Sequence, residues 1–90
     1  MSNIKQLLNL ENARQFSTIS LIASENHSSN DVRQALSSRL TDKYAEGYPN
    51  RRYYAGCSLS DQIELYAQQQ VCKLFQAKWA NVQPHSGSQA

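Results

Sequence analysis

The residues best suited to chemistry are concentrated in one tyrosine-rich stretch, residues 41–56. It holds four of the five tyrosines, three of the nine basic residues and two of the three glycines. Tyrosine combines a rigid apolar ring with a hydrogen-bonding hydroxyl, which suits it to lining a binding site. Gly47, Pro49 and Asn50 interrupt any regular apolar period, so the stretch is predicted to be a loop. Composition alone leaves two interpretations open, a loop packed on a neighbouring surface and a binding or catalytic loop.

Two further stretches carry polar groups in positions typical of sites. Ser24-Glu25-Asn26 directly follows a short apolar run, residues 19–23, and polar groups at such an edge often face a ligand. Ser86-Gly87-Ser88 offers two hydroxyls and backbone N–H groups after a proline. If a helix follows this turn, its N-terminus forms an anion site.

Helices are predicted to position these stretches, because apolar residues recur at helical spacing on either side of them. Ser28 and Ser58 are each followed three residues later by Asp, a pattern typical of helix N-termini. Cys72 falls inside the last helix and is interpreted as a small buried hydrophobe. Residues 79–82 are predicted to form a short strand or a turn. The predicted helices are residues 2–16, 31–40 and 61–77.

Composition excludes several classes of protein. The 90 residues carry a formal net charge of +2 with interspersed signs, which does not favour nucleic-acid binding. Two cysteines without a CxxC pattern predict no metal site. No apolar run is long enough for a membrane span, and no signal-peptide pattern opens the chain. A soluble, cytoplasmic protein is therefore expected.

Three blocks taken together resemble serine hydroxymethyltransferase. They are residues 21–26 (LIASEN), residues 40–54 (LTDKYAEGYP running on to RYY) and residues 80–90 (ANVQPHSGSQA). The resemblance implies an α/β protein with the aspartate-aminotransferase-like (fold type I) fold of pyridoxal-phosphate enzymes. Residues 1–18 would be an N-terminal helical arm, and residues 19–90 an incomplete first part of the transferase domain. Within these 90 residues the fold is expected to be mostly helix and loop.

The resemblance also implies the chemistry of a longer parent protein. That family reversibly converts serine and tetrahydrofolate to glycine and 5,10-methylenetetrahydrofolate, using pyridoxal 5'-phosphate as cofactor and tetrahydrofolate as co-substrate. It forms homodimers whose active sites are shared between subunits. The lysine that binds the cofactor covalently lies far downstream in the family, so this chain alone is expected to be inactive.

Cofactor roles carry over to four residues. Ser86, Gly87 and Ser88 match the loop that holds the cofactor phosphate, in agreement with the anion site argued above. Tyr44 matches a tyrosine that reaches the phosphate from the partner subunit, where a phenol donor adds a hydrogen bond to the anion.

Catalytic and substrate roles carry over to four others. Glu46 matches the acid–base glutamate beside the substrate hydroxyl and the folate, and partial desolvation in an aromatic loop would raise its pKa. Tyr54 matches a catalytic tyrosine near substrate and cofactor, and Tyr53 a neighbour that contacts the folate ring. Ser24 matches a serine that helps to hold the carboxylate of the amino acid.

The sequence departs from the family pattern at several positions. Asn50 and Ala55 stand where glycine is usual; Asn tolerates a positive φ, whereas Ala adopts one only at a cost. Ser20 stands where Glu is common, and His27 where an aromatic is common. These departures leave an alternative open, a truncated non-catalytic remnant that associates with a full-length copy. A small unrelated domain with a tyrosine-rich binding loop is the third interpretation.

Overall fold

The computed structural model describes residues 2–90, and helix and loop dominate them, as expected. The chain divides into two compact units, residues 1–30 and 31–90. The elements in chain order are α1 (Ser2–Ser17), α2 (Asn30–Leu36), a 3-10 helix (Arg39–Asp42), β1 (Gly47–Tyr48), β2 (Arg51–Arg52) and α3 (Ser58–Phe75).

Helix α1 confirms the helix predicted over residues 2–16. Its second half carries an exposed ion pair between Glu11 and Arg14, one turn apart. The hydroxyls of Ser17 and Thr18 then donate to the carbonyl of Arg14, at 3.0 and 2.8 Å. Such side-chain bonds occupy a carbonyl of the last turn, and α1 ends there.

The single helix predicted over residues 31–40 is wrong in extent, because α2 ends at Leu36. Two adjacent serines interrupt it. The hydroxyls of Ser37 and Ser38 donate to carbonyls of the preceding turn, at 3.2 and 2.7 Å. The Ser38 hydroxyl also accepts from the amide of Leu40 and caps the 3-10 helix. Serine competes with helical bonding in this way, so the chain changes direction here.

The tyrosine-rich stretch was predicted to be a loop. This is wrong in part, because β1 and β2 form a short antiparallel hairpin within it. Asn50 in its turn has a φ of 62°, in the left-handed region, which confirms that Asn can take this role in place of glycine. Gly47 opens the hairpin with a φ of 112°. Two-residue strands are too short to produce a visible period-2 pattern, so periodicity could not have found them.

Helix α3 begins three residues before its predicted start and ends two before its predicted end. Ser58 is its first residue and not its cap; Cys57 takes the N-cap position without a side-chain cap bond. The carboxylate of Asp61 is used elsewhere, as described below. At the other end Gln76 is left-handed, with a φ of 52°, and its N–H donates to the carbonyl of Cys72. Such a residue is a common helix stop.

Burial is sparse among the described residues. Cys57 alone is buried, with 5% of its surface exposed, and its thiol donates to the carbonyl of Tyr54 at 3.3 Å. Cys72 is half-buried, so the prediction of a buried hydrophobe there is wrong. Residues 79–82 form neither strand nor turn. In all, 22 large apolar or aromatic side chains of residues 2–90 are exposed.

Candidate functional site

One arginine holds the hairpin to α3. The Nε of Arg52 donates to Oδ1 of Asp61 and its Nη2 donates to Oε2 of Glu64, both at 2.7 Å. Only 6% of the Arg52 side chain is exposed, and 15% and 12% of the two carboxylate side chains. A planar guanidinium with fixed donors is suited to such a double ion pair, which water barely reaches.

The same guanidinium also fixes the hairpin backbone. Its Nη1 donates to the carbonyls of Ala45 and Gly47, at 2.8 and 2.9 Å. In the turn, the amide of Asn50 donates to Oδ2 of Asp61 at 3.0 Å. Both oxygens of Asp61 are thus occupied, and β1, the turn and β2 are all held to the first two turns of α3.

A glutamine from the third sequence block completes the arrangement. The side-chain amide of Gln83 donates to Oε1 of Glu64 at 2.9 Å and to the carbonyl of Gly47 at 2.8 Å. Its backbone amide donates to the side chain of Asn81 at 2.9 Å. We call Arg52, Asp61, Glu64 and Gln83 the Arg52 network.

The charges of the Arg52 network stabilise one another. The Asn50 amide and the Arg52 guanidinium both donate to Asp61, and together they lower the pKa of its carboxyl. Asp61 and Glu64 in turn raise the pKa of Arg52. Asp61 and Arg52 therefore stay ionised at neutral pH.

Sequence reasoning missed the Arg52 network entirely. The partners of Arg52 are 9 and 12 residues away in sequence, and Gln83 is 36 residues from Gly47. A signal was present, because Asp61 and Glu64 are three residues apart and lie on one face of a helix. That face carries two carboxylates close to the arginine pair Arg51-Arg52, which would have suggested the ion pairs.

The structure brings two of the predicted tyrosines into contact. The rings of Tyr44 and Tyr54 meet edge to face, with centroids 5.1 Å apart and planes at 79°. They remain exposed, at 67% and 53% of their surfaces, and Tyr53 at 77%. Behind them, the ammonium of Lys43 donates to the carbonyls of Ala55 and Tyr44, at 2.8 and 3.3 Å. The backbone is thus fixed while the rings face outward.

Glu46 lies at an open depression of about 610 Å³ beside the Arg52 network. Its carbonyl accepts from the amide of Tyr53 at 3.2 Å, which fixes these two predicted site residues opposite each other. Its carboxylate bonds to no other described side chain or backbone group, and Glu46 is exposed. Within residues 2–90, therefore, nothing supplies the desolvation expected for this carboxyl. The depression is lined by Leu40, Lys43, Ala45, Glu46, Gly47, Arg52, Ser60, Ile63, Glu64, Ala67, Val82 and Gln83.

The predicted phosphate loop forms a compact turn. The carbonyl of Ser86 accepts from the amides of Gln89 and Ala90, at 3.1 and 3.2 Å, as in a first helical turn. The hydroxyls of Ser86 and Ser88 bond to no other described residue. A Cβ added at Gly87 would meet nothing within 4 Å, so the space over the turn is open.

Ser24 belongs to the other compact unit, residues 1–30, and is exposed in a turn closed by a 3.0 Å bond from the Glu25 amide to the Ile22 carbonyl. Next to it, the Ser20 hydroxyl donates to the Glu25 carboxylate at 2.7 Å. This bond fixes the Glu25 side chain against the start of the turn. The predicted site residues are therefore distributed over both units, with Ser24 in the first and the others in the second.

Ala55 fits the backbone of the hairpin without strain. Its φ is not positive, whereas the following residue, Gly56, has a φ of 77°. The left-handed conformation expected at a glycine pair thus falls on the position that keeps its glycine.

No helix among residues 2–90 is long and apolar enough to cross a membrane, and no group of three His, Cys, Asp or Glu side chains there could hold a metal ion. The described geometry is that of a fixed loop presenting phenols and a carboxylate, followed further along the chain by a Ser-Gly-Ser turn. Comparison with known proteins identifies the class as a family of transferases. A profile of that family, serine hydroxymethyltransferase, matches residues 1–90, and the chain belongs to it as an N-terminal portion. The resemblance seen in the three sequence blocks is confirmed.

Serine hydroxymethyltransferases from several bacteria are similar to this chain. Serine hydroxymethyltransferase of Lactobacillus acidophilus is 64% identical over 80 residues, covering 89% of this chain and 20% of the relative. Those of Borrelia duttonii and Metamycoplasma arthritidis are 60% and 58% identical, covering 93% and 98% of this chain and 20% and 21% of the relatives. The chain thus spans about a fifth of the length of the curated relatives it matches.

Proposed function

We propose that this chain supplies one part of the active site of a pyridoxal-phosphate-dependent serine hydroxymethyltransferase of fold type I. The longer protein would interconvert serine and glycine and exchange the one-carbon unit with tetrahydrofolate. Residues 1–18 would be its arm and residues 19–90 the first part of the transferase domain. A cytoplasmic homodimer, predicted from the family, is part of the same proposal.

One observation carries this proposal. The Arg52 network fixes the hairpin backbone from within, while Tyr44, Glu46, Tyr53 and Tyr54 all project from it into solvent. A stretch stabilised only by packing would bury its rings, which are its largest apolar surfaces. A loop that is rigid underneath and polar and aromatic outside fits one whose side chains are completed by other parts of a site.

The donors of the Ser86–Ser88 turn fit a phosphate group. Two uncommitted hydroxyls, a glycine with open space above it and the start of a helical turn are the features of an anion cradle. Ser86, Gly87 and Ser88 would hold the cofactor phosphate, and Tyr44 would donate from the partner subunit. Pyridoxal phosphate, when bound, supplies an electron sink for the reaction.

The remaining roles concern substrate and protons. Glu46 would move a proton at the hydroxyl of serine, and the open depression beside it leaves room for the rest of the site to exclude water. Tyr53 would contact the folate, Tyr54 would act beside the substrate, and Ser24 would bind the carboxylate of the amino acid.

A chimera tests the proposal. In it, this chain replaces the matching segment of the Lactobacillus acidophilus relative, and serine–glycine interconversion with tetrahydrofolate is measured. We expect the chimera to be active, the 90-residue chain alone to be inactive, and Glu46→Gln to reduce kcat about a hundredfold or more. Asp42→Asn, an equally exposed carboxylate in the 3-10 helix, is the matched control. An inactive but folded and cofactor-loaded chimera would refute the proposed function, as would turnover by the chain alone.

A second candidate is a non-catalytic chain that associates with a full-length copy, favoured by the 22 exposed large apolar and aromatic side chains. Co-expression of the tagged 90-residue chain with an intact relative distinguishes the two. Stable co-purification at fixed stoichiometry, together with an inactive chimera, would favour this second candidate.

A further inference from the structure

Glu64 occupies a position between the two segments to which cofactor and proton-transfer roles are assigned. Its Oε2 accepts from Arg52, which holds the hairpin that carries Glu46, Tyr53 and Tyr54. Its Oε1 accepts from Gln83, three residues before the Ser86–Ser88 turn. The two oxygens of one carboxylate thus hold two segments that are distant in sequence.

We propose that Glu64 is a positioning residue that couples the predicted phosphate-binding turn to the tyrosine-rich hairpin. It touches no substrate and acts through Arg52 and Gln83. This inference rests on the proposed function for the identity of the two segments, but not for the coupling itself.

Charge and burial explain why this position needs a carboxylate. Arg52 and Gln83 both present N–H donors, so Glu64 must accept at both of its oxygens at once. The side chain of Glu64 is only 12% exposed, so water does not readily replace a lost partner. A carboxamide at position 64 has a single acceptor oxygen and would place its own N–H donors against one of the two partners.

Gln83 adds a second link that makes the coupling reciprocal. Its side-chain amide also donates to the carbonyl of Gly47, which accepts from Arg52 as well. Glu64, Arg52, Gly47 and Gln83 therefore form a closed circuit of hydrogen bonds. Displacing either segment strains the contacts of the other.

Hydrogen exchange on the chimera tests the coupling separately from activity. The reporters are the amides of Asn50 and Tyr53 in the hairpin and the amide of Gln83 in the other segment, followed by NMR. Glu64→Gln should accelerate exchange at both reporter sets by about tenfold, the effect of losing a hydrogen bond to a charged group. The matched control is Lys73→Gln, which removes an exposed charge near the far end of α3.

The chimera then tests whether the coupling reaches the site. Arg52→Lys, which keeps the charge but not the planar donors, should lower kcat with little change in the dissociation constant of pyridoxal phosphate. Gln83→Leu should weaken cofactor binding with little change in kcat at saturating cofactor. Glu64→Gln should change both by about tenfold, a combined effect that a local defect does not produce.

The outcomes separate the coupling from the proposed function. Unprotected hairpin amides in the unsubstituted chimera would overturn the coupling. So would exchange that Glu64→Gln changes in one segment only. An inactive chimera whose exchange follows the expected pattern would overturn the function and leave the coupling intact.

Discussion

Two arginines in this chain form ion pairs of almost equal length with very different consequences. Arg14 bonds to Glu11 at 2.6 Å within one helix, and the two side chains are 60% and 47% exposed. Arg52, in β2, bonds to Asp61 and Glu64 of α3 at 2.7 Å, with 6% of its side chain exposed. The first pair joins residues already brought together by α1, whereas the second holds together segments that would otherwise separate.

The length of an ion pair therefore does not indicate how much the pair stabilises the protein. An exposed pair within one helix contributes only about 0.3–0.5 kcal/mol, because water and salt compete with it. Removing one partner of a part-buried pair leaves the other charge with fewer hydrogen bonds and costs about 1–3 kcal/mol. Burial and the separation of the partners in sequence decide which pair is structural.

The largest expected effect breaks the Arg52 network directly. Arg52→Met keeps most of the side-chain volume but leaves two carboxylates without their arginine, and we expect the chimera to lose about 2 kcal/mol of unfolding free energy. Arg14→Met, the matched change on α1, should cost much less, because both side chains of its ion pair are exposed. Urea unfolding of both variants is the measurement. Equal losses would show that the two pairs do not differ as their burial indicates.

A substitution at Gly47 provides a second way to disrupt the Arg52 network. A Cβ there would lie 2.3 Å from the carbonyl oxygen of Arg51, at a φ of 112° that alanine rarely adopts. Gly47→Ala should thus displace the carbonyl that Arg52 and Gln83 share, costing about 2 kcal/mol. Gly87→Ala, in open space, should leave stability unchanged within about 0.5 kcal/mol by the same measurement.

Lowering the pH should affect the two ion pairs differently. Asp61 and Glu11 both have a pKa below the unfolded value; donors from Arg14 lower the pKa of Glu11 to about 2. Their stabilisation is complete above the unfolded pKa values of 3.8 and 4.5, and is lost as the pH falls through the folded pKa of each. Protonating Asp61 should release the hairpin, whereas protonating Glu11 should only fray α1.

An NMR titration from pH 7 to pH 2 measures this difference. The amide shift of Asn50 should follow Asp61 and move with the other hairpin amides, while changes caused by Glu11 stay within α1. Asp61→Asn should abolish the hairpin transition, because an amide does not titrate. A hairpin that opens at the same pH in that variant would refute the assignment to Asp61.

The smallest expected effect concerns the end of α3, the helix that presents both carboxylates. Gln76→Gly should stabilise the protein by about 0.5–1 kcal/mol, since glycine adopts the left-handed conformation of Gln76 without strain. Gln70→Gly, within the same helix, should instead cost about 1 kcal/mol. Thermal unfolding of the two variants measures both changes, and effects of the same sign would contradict this interpretation.

Two of the helices and the family could be predicted from the sequence. Helix α3 was predictable because its apolar residues keep helical spacing along most of its length, and α1 because Ile4, Leu7 and Leu8 keep that spacing after a residue suited to capping. The family was predictable because three blocks match it. The break after Leu36 was missed because Ser37 and Ser38 compete with the helix through hydroxyl bonds that periodicity does not register.

The Arg52 network was missed for a different reason. Its bonds depend on the hairpin first placing Arg52 opposite α3, and that hairpin depends on the left-handed Asn50. Propensity and spacing describe neighbours along the chain, while this arrangement joins groups up to 36 residues apart. The roles assigned to Glu46, the tyrosines, Ser24 and the Ser86–Ser88 turn remain predictions, because they involve groups outside residues 2–90.

The exposed apolar residues have a consequence for how such a polypeptide would fare in a cell. Among the described residues only Cys57 is buried, so local opening of this chain requires little free energy. Proteases act on opened states, and chaperones bind exposed apolar segments such as those around Phe16 and Leu21. We expect rapid degradation when the 90 residues are made alone and a long lifetime when they are part of the chimera. Pulse-chase half-lives of the two forms test this expectation, which concerns the abundance of the polypeptide and not its activity.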